Sequence, residues 1–175
     1  MDLTVVEFSA SHLSAVQSFD CGRELWAELA SDWIKQAPPY RCALASMQKY
    51  GTSVWLYVMP DPYADEKHLV GFSSLGVTQW AGPLPGGEKR ELGHIPMLAV
   101  ASAFQGKPDH DDARRYSRQI MEHVIAQAIE RRFHELCLKV HCNNERAIGL
   151  YRRFGFQPLG PRDGKGNIGM LKLLD

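Results

Sequence analysis

The sequence predicts an α/β domain built on one mixed sheet with helices on its faces. Three observations lead there. "SVWLYVMP" and "HLVGFSSLGVTQW" are dense in β-branched and aromatic residues and are separated by the turn-forming "DPYADEK", so they read as a strand pair. A stripe of Ala113, Tyr116, Ile120, Val124 and Ala128, at steps of three or four, marks a long helix over about 112–132. After it, "ELCLKVHC" reads as a strand, "NNERAIGLYRRF" as a helix and "GF" as a glycine stop with a return to strand.

The remaining elements follow in order. "LTVVEF" is a short β-rich run, and Ser9 and Ser11 can cap a helical segment with Leu13, Val16 and Phe19 on one face. Leu25, Trp26, Leu29 and Trp33 recur at helical spacing until Pro38 and Pro39 stop the pattern, which gives a second helix. "AGPLPGGEKREL" is a loop between strands. "HIPMLAVASAF" is the most apolar strand, although Pro96 within it cannot donate a ladder hydrogen bond and requires a bulge or an edge. "GMLKLL" closes the sheet. No internal repeat or low-complexity tract interrupts the chain.

Bulk properties narrow the partners. A chain of 175 residues, 45% apolar and 23% charged, fits one domain over 1–175 with a sizeable core. Twenty basic residues balance twenty acidic ones, a formal charge of zero, which speaks against a nucleic-acid or anionic-membrane partner. A small molecule or a peptide is the default. Cys21, Cys42, Cys137 and Cys142 form no CxxC pair, and no signal-like N-terminus or membrane-length apolar run is visible, so a soluble cytoplasmic protein with reduced thiols is expected. The sequence leaves the oligomeric state open, a homodimer included.

"NNERAIGLYRRFGF" resembles a segment of GNAT-superfamily N-acetyltransferases, matched at Asn144, Ala147, Tyr151, Gly155 and Phe156. "MLAV" followed by "FQGK" and a long helix resembles the acetyl-CoA motif of the same family, and the element order is similar along nearly the whole chain. Read singly, the residues of the first segment also have an ordinary account: Asn143 or Asn144 caps a helix, Tyr151 is a core aromatic and Gly155 ends the helix.

The resemblance implies a mixed, largely antiparallel central sheet with helices on both faces, and attack of a neutral amine on acetyl-CoA as co-substrate. That chemistry needs a base, donors for an oxyanion and an acid for the leaving sulfur. Tyr151 occupies the position of the family's general acid. Backbone groups of Leu98, Ala99 and Val100 would hold the cofactor, with Asn143 and Asn144 at the start of the Tyr151 helix also against it. For the base, His94 stands on the apolar strand, where period-two alternation puts it on the face of Pro96, Leu98 and Val100; Glu91 is its rival.

The phosphate loop departs from the family pattern, in which small residues precede a helix N-terminus. Counted back from the helix, the two small slots fall on Arg115 and Ser117, and the leading Gln or Arg slot on Asp112. The preferred reading starts the motif at Gln105, Gly106 and Lys107 and takes "PDHDDA" as an insertion that bulges into solvent. Arg114, Arg115 and Arg118 then arrive at the helix start. From Gln105 to Arg118, Lys107 and those three arginines face Asp109, Asp111 and Asp112, so local charge barely favours a pyrophosphate. Caps explain the aspartates better than a metal, and no metal is expected. "DGKGN" is a turn.

Two other functions remain open on the sequence. "SFDCGRELWAELASDWI" loosely resembles GNAT toxins that acetylate charged tRNA, against which the neutral charge speaks, and the altered loop admits a degenerate fold that only binds an acyl-CoA.

Overall fold

A computed structural model of the chain describes residues 3–22, 51–60, 67–80, 90–106 and 115–174. The second helix expected around Trp26 and Trp33, residues 81–89 of the loop expected over 81–92 and the insertion with its aspartates lie outside them; the last three residues of that expected loop, Arg90, Glu91 and Leu92, are strand instead. The elements are β1 (Thr4–Glu7), a 3-10 turn (Ala10–His12), α1 (Leu13–Gln17), β2 (Ser53–Pro60), β3 (Lys67–Trp80), β4 (Arg90–Ile95), β5 (Leu98–Val100), a second 3-10 turn (Ser102–Phe104), α2 (Tyr116–Glu130), β6 (Glu135–His141), α3 (Glu145–Arg153), β7 (Gln157–Pro158) and β8 (Asn167–Leu173). The strands are hydrogen-bonded in the order β1-β2-β3-β4-β6-β8-β7, with β5 on β3, and every pairing given a register is antiparallel except β4 with β6.

The chain divides into two compact units, Met1–Ser74 with Met97–His123, and Leu75–Pro96 with Val124–Asp175. In the first, alternation along β2 and β3 sends residues to two faces. Val54, Leu56 and Phe72 join Phe8, Val16, Phe19 and Cys21 in one apolar cluster, against which Leu13 and Ala99 pack. Phe19 meets Phe72 edge-on at 5.1 Å, although it lies beyond the end of the short α1. Trp55, Tyr57 and Ser73 alternate with that set. The Tyr57 hydroxyl lies 2.7 Å from Ser73 Oγ and 2.7 Å from His123 Nδ1 of α2, while Trp55 packs edge-on against His123 at 5.1 Å.

Burial pushes the Tyr57 phenol far above its ordinary value, against the pull of the Ser73 hydrogen bond. It stays a neutral hydrogen-bonding group. Tyr57→Phe is expected to cost about 1–3 kcal/mol, because Ser73 would remain fully buried after losing this partner. Urea unfolding measures this as a lower midpoint at an unchanged slope.

In the second unit β6 pairs along its whole length with β8, Glu135 opposite Leu173 and His141 opposite Asn167. The helix expected to run to Arg132 ends at Glu130; Arg132 takes φ 60, which an α-helix cannot continue, and the chain turns into β6. At α3, Asn144 accepts a hydrogen bond from the Ala147 N–H at 3.0 Å, the capping role its residue type favours. The other end closes with Phe156 N donating to Tyr151 O and Gly155 N to Arg152 O. Gly155 has φ +85, so glycine is the residue that fits this left-handed stop.

Pro96 has the effect expected of it, with a further consequence. The β3–β4 register pairs Gly76 with His94, whereas the β3–β5 register pairs Ser73 with Leu98 and Gly71 with Val100. Continued without interruption, the first register would put Ser73 opposite Met97, so one extra residue enters the strand at Pro96 and Met97. This is a β-bulge. A one-residue slip exchanges the faces. Leu98 and Val100 therefore do not continue the His94 face of the strand, as uninterrupted alternation would have had it; Ala99 does.

Candidate active site

The expected cofactor residues of the first unit start at β5. Ser74 N donates to Met97 O at 3.0 Å and Ala101 N to Val70 O at 2.8 Å. In an antiparallel ladder alternate residues turn both backbone groups to the partner, so Ala99 also faces β3, while Leu98 and Val100 turn their amides and carbonyls to the opposite edge. Of the three residues expected to present backbone groups, Ala99 is thus spent on the sheet. Among the described residues no strand pairs with that second edge of β5.

Gln105 fastens the turn that follows. Its Nε2 donates to Val100 O at 3.0 Å and to Cys21 O at 2.7 Å. Gly106 has φ +72, so this turn also favours glycine. Lys107 and Arg114 lie outside the described residues. Arg115 is exposed immediately before α2, and its carbonyl accepts from the amides of Arg118 and Gln119. Ser117 is half-buried in the first turn of α2, which contains no acidic residue. Arg118 Nε is 2.8 Å from Glu122 Oε1, an exposed ion pair within the helix.

The candidate acid and base belong to the second unit. Tyr151 is the buried residue of α3, and its ring lies 6.0 Å from that of Phe156, the apolar contact that accompanies the helix stop. Burial pushes its phenol up to about 12, so it is protonated throughout the neutral range. Asn144 caps α3, and Asn143 Oδ1 accepts from Cys142 Sγ at 3.3 Å while its N–H donates to His141 Nδ1 at 3.3 Å.

His94 stands on β4 opposite Cys137 of β6. Burial lowers its pKa, and the charge of Lys139 lowers it further, so the imidazole is neutral at pH 7. Glu91 is exposed and lies on the other face of β4, three residues away by strand alternation. The two base candidates therefore cannot serve the same face. Neighbouring Cys137 is fully buried, and burial lifts its thiol to about 12, which makes it an inert wall rather than a nucleophile.

Lys139 carried no signal in the sequence. The β4–β6 register, which no local pattern specifies, puts Cys137 opposite His94 and Lys139 two residues further along β6, from where its charge acts on the imidazole. Among the described residues no group of His, Cys, Asp and Glu could hold a metal ion, and no helix is long and apolar enough to cross a membrane. Among the described residues no disulfide joins Cys21, Cys137 or Cys142.

A family model described as the acetyltransferase (GNAT) family matches residues 22–156, from Gly22 to Phe156. The chain belongs to the GNAT family. As such it is an acyltransferase, and the segment that carries Tyr151 falls inside the match. A comparison with curated proteins finds no match. Among solved structures, the chain is similar to the PaiA N-acetyltransferase from Thermoplasma acidophilum in complex with coenzyme A, at 14% identity and a TM-score of 0.66, covering 99% of this chain and 100% of that one. It is also similar to a chain of the NatC complex bound to Gag peptide and CoA, at 14% identity and a TM-score of 0.61, with both chains fully covered. A tyrosine-to-phenylalanine variant of the AtaT toxin, bound to acetyl-CoA and the C-terminus of its antitoxin AtaR, follows at 16% identity and a TM-score of 0.59, covering 97% and 92%. These three share the fold.

Proposed function

We propose that this GNAT protein transfers an acetyl group from acetyl-CoA to a primary amine of a small molecule or peptide, with residues 1–175 acting as one catalytic domain in the cytoplasm. The observation that carries the reading is Tyr151, a buried phenol kept protonated and seated by the helix stop of α3 within the family match. CoA or acetyl-CoA in the related structures supports the choice of co-substrate.

The amine nitrogen attacks the thioester carbonyl carbon, a C–N bond forms, and the C–S bond breaks. His94 takes the proton that nitrogen loses, through water, and Tyr151 gives a proton to the leaving sulfur. The products are an acetamide and the CoA thiol. Amides of Leu98 and Val100 are the donors for the thioester oxygen and the pantetheine arm. Gly106, Lys107, Arg114, Arg115 and the amides at the start of α2 are assigned to the pyrophosphate. A zero net charge weighs against transfer to tRNA.

Calorimetry with acetyl-CoA and an assay of CoA thiol release from an amine panel test this directly. Binding without release from any amine would leave a degenerate acyl-CoA-binding protein, and no binding would remove the reading. The pH dependence carries a sign. Because the His94 pKa is lowered, its neutral form persists below the usual 6.5, so the acidic limb that this residue contributes to kcat/KM is expected below about pH 6.5. His94→Gln should abolish that limb. A limb deep in the carboxylate range that survives the substitution would assign the base elsewhere.

A further inference from the structure

Ser73 and Ser74 are adjacent on β3, and both are fully buried. A hydroxyl taken out of water needs a partner. Ser73 has Tyr57, on the face of the sheet that His123 of α2 covers. By strand alternation Ser74 turns to the other face, and it spends its hydroxyl on the backbone of Met97, the residue that follows Pro96 in the bulge.

The pattern belongs to the bulge. In an unbroken antiparallel ladder, the two residues of a hydrogen-bonded pair exchange two backbone bonds. Here Ser74 N donates to Met97 O at 3.0 Å, but the return bond runs from Met97 N to Ser74 Oγ, at 3.1 Å. The same hydroxyl lies 3.4 Å from Met97 O, a longer second contact on that carbonyl. Ser74 thus holds the peptide planes on both sides of the Met97 Cα. An apolar residue at 74 would leave the Met97 N–H without this acceptor.

The second of these planes reaches the cofactor edge. Met97 C=O and Leu98 N–H belong to one planar trans peptide, so they point in opposite directions. With the carbonyl held toward β3, the Leu98 N–H is aimed at the edge of β5 on which no described strand pairs. The Met97 side chain packs against the apolar cluster of the first unit, which anchors the same residue a second way. Ser74, Met97 and Leu98 all lie in that unit.

We propose that Ser74 is a positioning residue of the transfer reaction: by holding both peptide planes of Met97, it fixes the direction of the Leu98 N–H that receives the thioester oxygen. The inference rests on the N-acetyltransferase reading. An oxyanion donor is effective when its direction is set before charge develops. The interrupted ladder of a bulge is where the backbone is least constrained by its neighbours, and there the serine hydroxyl stands in for the missing carbonyl.

Ser73 supplies the control, because it is equally buried and its truncation also deletes a hydrogen-bonded hydroxyl, on the opposite face. In the full chain, well below each variant's unfolding midpoint, Ser74→Ala is expected to lower kcat for CoA thiol release by about 10–100-fold, with CoA affinity by calorimetry unchanged. Ser73→Ala should keep kcat near the wild-type value. Ser74→Thr, which keeps the hydroxyl, should restore kcat, and Ser74→Val, of the same shape without it, should not; this pair carries the comparison if Ser74→Ala does not fold. A second readout needs no turnover: the Leu98 amide resonance should move further with acetyl-CoA than with CoA, and the variants without the hydroxyl should lose that difference. Equal kcat in Ser74→Ala and Ser73→Ala, or in Ser74→Thr and Ser74→Val, overturns this inference and leaves the acetyltransferase standing. A Leu98 response that depends on Ser74, without thiol release from any amine, overturns the enzyme reading and supports the role of Ser74. Neither thiol release nor such a response overturns both.

Discussion

Replacing Tyr151 with Phe is expected to lower kcat by about 10²–10⁴-fold, the usual contribution of a positioned proton donor, while acetyl-CoA affinity stays nearly unchanged. The substitution removes one oxygen. The ring contact with Phe156 persists, and so do the backbone bonds from Phe156 to Tyr151 and from Gly155 to Arg152, because they do not involve the side chain. A phenol that burial lifts to about 12 gains nothing from solvent, so losing its hydroxyl should leave thermal stability level or slightly higher. Steady-state kinetics, CoA calorimetry and thermal unfolding separate the two accounts of this residue. If Tyr151 only fills the core, all three readouts stay level; if it protonates the sulfur, kcat alone collapses.

The second large effect is expected at Gly71, where β3 and β5 pass too closely for any side chain. A Cβ there would sit 2.4 Å from the Ala99 carbonyl oxygen, 2.7 Å from Ile120 Cδ1 and 3.4 Å from Val100 Cα. The first obstacle is backbone and cannot rotate away. Gly71→Ala should therefore destabilise the chain by about 1–3 kcal/mol, the range for an overpacked core, read as a lower urea midpoint. It should also weaken acetyl-CoA binding, because the strain falls on the strand that turns the Leu98 and Val100 amides outward. Gly149 is the control: nothing lies within 4 Å of a Cβ at that helical position, so alanine there should stabilise by about 1 kcal/mol. Equal behaviour at the two glycines would show that β5 is free to move.

Local chemistry made much of this molecule legible. Ser53–Pro60 and Lys67–Trp80 are strands because β-branched and aromatic residues fill them, and turn residues stand between. Tyr116, Ile120, Val124 and Ala128 are all buried, as their helical spacing required. Glycine at 155 marked the end of α3, and proline at 96 marked a break in the strand, each through a backbone property that belongs to the residue itself.

Other features needed partners from far along the chain. That Pro96 adds a residue to the strand could not be read locally, since a bulge is a difference between two registers, and it is this difference that separates the faces of His94 and Leu98. Tyr57, Ser73 and His123 come from three elements, and nothing in any one of them announces a shared hydrogen bond. His94 and Glu91 both look like bases in the sequence, and alternation along the single strand β4 puts them on opposite faces.

The sequence by itself determined the family and the order of the elements, and it supplied the tyrosine proposed here as the acid, because these depend on residue type and short spacing. Tertiary structure decided which amides β5 turns outward, that Arg118 pairs with Glu122, and that His94 stands opposite Cys137. The physical reason is register. A strand's composition fixes that it will pair, but the partner, the offset and hence the face of every side chain are set by packing across the sheet.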